Sequence, residues 1–97
     1  MLYADNSNGE GVKMPEISRF YGMIVKMFFR QREHGVAHIH VVYGEFNGVI
    51  AIATGEMLDG DLPNNALMLI RQWLSVHRDE LLAMWESQKL GKLPPLE

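Results

Sequence analysis

The chain of 97 residues has no cysteine, which removes disulfide frameworks and thiolate metal sites together and fits a reducing compartment. A basic excess is also missing. Nine Lys and Arg stand against twelve Asp and Glu for a net charge of −3, which argues against a dedicated nucleic-acid binder. No stretch approaches the roughly 18–20 apolar residues of a membrane span, and no basic region followed by an apolar core opens the chain, so a cytoplasmic protein is expected. There is no phosphate-cradling Gly-rich loop, no Ser or Cys nucleophile motif and no paired-carboxylate constellation, so no catalytic residue is assigned. What remains is an ordinary apolar share, 47%, whose placement carries the information.

Length allows one domain with a modest core. Residues 1–13, rich in Asn, Ser and Gly, read as a flexible N-terminal extension, and the domain is expected over 14–93 with a tail at 94–97. Ile17 to Arg30 is apolar and aromatic, with a bend or bulge at Gly22 before a strand from Met23 to Phe29 and, as an alternative to one strand, a short one ahead of it. His38 to Tyr43 is β-branched and aromatic, Gly44 to Gly48 supplies turn residues, Val49 to Ala53 is a further strand, and Met57-Leu58 a short last one. From Pro63 the apolar period becomes about 3.6, giving a long helix with Leu67, Ile70, Leu74, His77, Leu81 and Met84 on one stripe and Trp73 and Trp85 widening it. Asp61 or Leu62 stands where a cap belongs, Ser75 can break the helix near 75–77 by capping a second one, and Gly91 with Pro94-Pro95 can stop it. The expected fold is α+β: a three- to four-stranded antiparallel meander followed by one C-terminal helix on one face.

Alternation puts Met23, Val25 and Met27 on one side of their strand and Ile24, Lys26 and Phe28 on the other, while Ile50 and Ile52 oppose Val49 and Ala51. Both sides are apolar. One helix covers one side, so a second copy of the chain is expected to bury the other, with Ile24, Phe28, Ile50 and Ile52 as candidate interface residues in a homodimer.

Three histidines, His34, His38 and His40, fall within seven residues, and His38 and His40 share a strand side with Val42. Such a pair can hold an anionic group or a divalent transition metal, with His34 as a third nitrogen and Glu45 adding a carboxylate, a set suited to zinc, iron or manganese. Hydrogen-bonded or partly solvated rings at an interface are the plain alternative. A cupin, which shares a paired-His and Glu pattern, needs about eight strands, and in a histidine-triad hydrolase the third His would stand at Val42. His77 lies among Leu74, Leu81 and Trp73 and reads as a core or boundary residue, or as a partner of His34 if the helix reaches that edge. Residues 13–34 carry five basic and two acidic groups, whereas 35–61 carry only Glu45, Glu56, Asp59 and Asp61.

Met14-Pro15-Glu16-Ile17-Ser18-Arg19-Phe20-Tyr21-Gly22, the His34 to His40 run, Tyr43-Gly44 and Trp73-Leu-Ser-Val-His77-Arg78-Asp79-Glu80-Leu81 together resemble the small bacterial family called domain of unknown function 4160, over about residues 14–93. Many members have Pro-Pro where this chain has Val36-Ala37. The resemblance implies no activity. It does imply a second small protein encoded nearby, because genes of the family are often paired in the manner of toxin–antitoxin or mobile two-gene cassettes. The leading expectation is a non-enzymatic, self-associating interaction module. A metal- or ligand-binding protein or enzyme built on the histidines competes with it, and weak RNA binding through Lys26, Arg30 and Arg32 is a third reading.

Overall fold

A computed structural model describes residues 15–28 and 35–97 of the chain. The alternating segments become β1 (Glu16–Phe20), β2 (Met23–Lys26), β3 (His38–Tyr43), β4 (Phe46–Ala51) and β5 (Met57–Gly60), and the 3.6-period segment becomes α1 (Asn64–Ser87). Each strand pairs antiparallel with the next, in the order β1-β2-β3-β4-β5, so the fold is the expected α+β meander with five strands. The N-terminal extension lies outside the described residues. Among the described residues no helix is long and apolar enough to cross a membrane.

The extra strand arises at Tyr21-Gly22. Phe20 pairs with Met23, and the two residues between have φ of 48° and 82°, the positive values of a tight hairpin turn whose twist matches its strands. The short strand ahead of Gly22 is therefore β1, paired with β2. The next hairpin is also tighter than expected: Tyr43 pairs with Phe46, which leaves only Gly44-Glu45 in the turn and extends β4 through Asn47 and Gly48. Gly48 faces the helix side, where a Cβ would stand 2.9 Å from the Leu62 side chain, so its lack of a side chain lets Leu62 pack onto the sheet.

Helix α1 covers one sheet face. Ile17, Phe20, Met23, Val25, Met27, Ile39, Val41, Ile50 and Ile52 meet Leu62, Ala66, Ile70, Trp73, Leu74 and Leu81 in a single buried cluster. At about 25 cal/mol per Å² of apolar surface, this layer supplies the main drive for folding. Ile50 and Ile52 belong to it. Both are 0% exposed, which corrects their assignment to an interface: β4 is apolar on both sides, and the register with Ile39 turns Ile50 toward the helix.

The N-cap of the helix is Pro63, past the expected Asp61 or Leu62, and a proline side chain has no acceptor to offer the first turn, so there is no side-chain cap. Within the expected 75–77 stretch the helix is interrupted by a kink at His77, whose φ of −112° and ψ of 16° are non-helical, and it resumes to Ser87. Ser75 bonds the Gln72 carbonyl and does not cap the second segment. After Ser87, Gln88 takes a left-handed conformation, three residues before the expected stop at Gly91. Arg71 and Arg78 donate to the carbonyls of Gly55 and Ile52 and so tie the β4–β5 loop to the helix.

Residues 88–97 have no regular secondary structure and pack back on the domain, the expected tail 94–97 included. Leu90, Leu93 and Leu96 pack on the core, the Trp73 indole donates to the Pro94 carbonyl at 2.8 Å, and the Leu93 N–H donates to the Ile17 carbonyl at 2.8 Å. The last contact covers the outer edge of β1, where an unpaired strand would invite pairing with other chains.

Gly60 sets the other end of the sheet. Its φ is 84°, and a Cβ there would collide with the Asn47 carbonyl oxygen. Gly60→Ala is expected to destabilise by about 2 kcal/mol or more, and Gly91→Ala, which meets nothing within 4 Å, by less than about 0.5 kcal/mol. Urea denaturation of both variants checks this.

Candidate functional site

Directly opposed residues on antiparallel strands share a face, so the register defines what lies opposite the helix. One row crosses that face from edge to edge: Glu16, Lys26, His40, Val49 and Asp59. Beside it runs a second row, Arg19, Ile24, Val42 and Asn47. Ile24, Val42, Val49 and Phe28 are only partly buried, and no element of the described chain lies over them.

At one end of the face four rings stand in sequence. Phe28 meets His40 edge-on at 4.4 Å between centroids, His40 meets His38 at 5.2 Å, and His38 meets Trp85 of the helix at 5.0 Å. The Trp85 contact is not visible in strand alternation. It joins the first residue of β3 to the last turn of α1. The His38 Nδ1–H donates to the Val36 carbonyl at 2.7 Å, which fixes the ring and leaves Nε2 as the acceptor nitrogen of the neutral form.

His40 has no such partner. Its Nε2 is buried and unbonded among the described residues. Burial first, then the neighbouring His38 and Lys26, hold its pKa below the ordinary value of 6.5. A neutral imidazole packed against a Phe ring is the result. Elsewhere on the face, Glu16 accepts two hydrogen bonds from Arg19, at 2.8 and 3.1 Å, and that pairing holds its carboxyl below the usual range.

The other expected site residues do not join this group. Glu45 is in the β3–β4 turn, at the opposite end of β3 from His38. His77 is on α1 beneath the other face, 5.1 Å from the Trp73 ring and bonded to Glu80 at 2.7 Å. It is the core or boundary residue that its stripe indicates. His34, Arg30 and Arg32 lie outside the described residues, and among the described residues no three His, Asp or Glu side chains converge to hold a metal ion. The His38–His40 pair is what the structure brings together. Asp59 escaped sequence reasoning because a bulge between Val49 and Ile50 offsets β5, and its face follows only from pairing with Val49.

Two shallow depressions lie away from this face. One, about 530 Å³, is on the outer side of α1 around Leu67, Met68 and Gln72, and the other, about 380 Å³, lies between Trp73, Val76 and residues 94–97. Neither gathers a cluster of titratable groups.

The fold and the ring row describe a small α+β protein whose sheet face opposite the helix mixes charged and polar side chains with an apolar patch of Ile24, Val42, Val49 and Phe28. Residues 22–86 match the family described as domain of unknown function (DUF4160), and the chain belongs to that family. Comparisons with curated proteins and with solved structures give no match.

The depressed pKa of His40 has a sign. Between that value and 6.5 the unfolded chain binds more protons than the fold, so stability is full above pH 6.5 and falls as pH drops below it. Replacing the ring in His40→Leu is expected to reduce the loss of stability between about pH 7.5 and pH 5, measured by urea denaturation against wild type. An unchanged pH slope would place the titration elsewhere.

Proposed function

We propose that this protein is a protein–protein interaction module that self-associates through the sheet face opposite α1 and pairs with a second small protein, as one member of a two-gene cassette. The observation that carries the reading is the uncovered set Ile24, Phe28, Val42 and Val49. The two rows of this face hold six polar side chains and three apolar ones, and Ile24, Val42 and Val49, with Phe28 beside them, form an apolar patch that no second helix covers among the described residues. The family resemblance, with its paired genes, supports the second partner. Cytoplasmic location is part of the same reading.

Size sets the expected strength. Five strands about 4.8 Å apart and about five residues at 3.4 Å make a face of roughly 20 by 17 Å. Covering one such face on each copy is at the small end for a stable interface, so a dissociation constant in the micromolar range is expected. Sedimentation velocity from about 1 to 200 µM should show a monomer–dimer equilibrium, and Val42→Lys should shift it to monomer without altering the helical circular dichroism. A monomer throughout that range would overturn self-association.

A second reading is favoured by one observation, the unbonded Nε2 of His40 beside the oriented His38 ring. It makes the pair a ligand site for an anion or a divalent transition metal. Titration of untagged protein with zinc should then give binding that His38→Ala/His40→Ala abolishes. No binding by wild type would remove this reading.

A further inference from the structure

Lys26 and Asp59 lie in one cross-sheet row on the uncovered face, separated by His40 and Val49. With strands about 4.8 Å apart their backbones are roughly 14 Å from one another, too far for an ion pair within one copy. The neighbouring charges are already engaged. Glu16, opposite Lys26 in the row, is paired with Arg19 at 2.8 Å, and the two ion pairs among the described residues, Arg19–Glu16 and His77–Glu80, include neither Lys26 nor Asp59. One face therefore carries a cation on one flank, a carboxylate on the other, and the His40 imidazole and Val49 between them.

That pattern is self-complementary. A two-fold axis lying between two stacked sheets, parallel to the strands and midway between β3 and β4, turns the second copy over and exchanges the flanks. We infer that the chain forms a face-to-face dimer in which Lys26 of each copy pairs with Asp59 of the other, an inference that rests on the self-association proposed above. The same rotation sets His40 against Val49 of the second copy and Val42 against Asn47. The neutral, unbonded His40 imidazole is thereby covered by an apolar group, and no charge is buried alone. Strand β1 then projects past the second copy's β5, which leaves the Glu16–Arg19 pair, already neutralised, on the wet rim.

Charge reversal tests the pairing. Lys26→Asp makes both symmetric contacts acid against acid and Asp59→Lys makes both base against base, so each single variant should dimerise at least about tenfold more weakly than wild type. The double variant Lys26→Asp/Asp59→Lys has the wild-type net charge and restores both contacts in reversed polarity. Its dimerisation should return to within about threefold of wild type. An equimolar mixture of the two single variants should likewise dimerise better than either alone. Asp59 Oδ1 also accepts the Gly60 N–H at 2.9 Å, so Asp59→Asn, which keeps the acceptor and removes the charge, serves where Asp59→Lys folds poorly. It should weaken the dimer and lessen its sensitivity to salt. If wild type dimerises but the double variant stays as weak as the singles, this pairing is wrong while self-association stands. If wild type does not dimerise at all, both fail.

Discussion

One helix for a sheet that carries apolar groups on both faces is the constraint on which this structure depends. Trp73, Ile70, Leu74 and Leu81 of α1 fill the space over β1 to β4, and the β4–β5 loop and the C-terminal residues close its margins through Arg71, Arg78 and Leu93. All of this closure is on one side. Residues 88–97 seal the β1 edge and the flank of the helix, through the Leu93 N–H on the Ile17 carbonyl and the Trp73 indole on the Pro94 carbonyl. A 97-residue chain with no cysteine has no further means of covering the opposite face from its described parts.

The uncovered face differs in kind from the core layer. Its apolar groups, Ile24, Val42, Val49 and Phe28, are interrupted by Lys26, His40, Asn47 and Asp59, a mixture suited to a reversible contact between surfaces that also exist apart. His40 is the feature that ties the face to the fold's own energetics. It is kept neutral by its burial, and its unbonded nitrogen is a cost that the monomer carries. The His38 ring is held on both sides, by Val36 and by Trp85, so only half of the pair is preset for a ligand.

Much of this was readable from spacing alone. Alternation in Met23 to Phe28 and in His38 to Tyr43 gives the correct side for every residue of β2 and β3, because each strand has polar or small residues that break the symmetry between faces. The stretch Val49 to Ile52 does not: all four residues are apolar, and only the register with Ile39 and His40 decides which side meets the helix. The family was legible in several separated motifs. The tail's role was not, because Leu90, Leu93 and Leu96 among Gly and Pro carry no period, and their anchors, Ile17 and Trp73, are distant in sequence. Convergence of the histidines was legible only in part, since strand parity unites His38 with His40 but says nothing of where Glu45 and His77 fall once the chain has folded.

The central claim is that the sheet face opposite α1 meets the same face of a second copy. The most direct measurement is an isotope-filtered nuclear Overhauser experiment on an equal mixture of labelled and unlabelled chains, well above the dissociation constant. Intermolecular cross-peaks from the methyl groups of Ile24, Val42 and Val49, with none from Met68 or Val76 on the outer side of the helix, are the predicted result. Intermolecular contacts confined to the helix surface, or none from the sheet, would contradict the account.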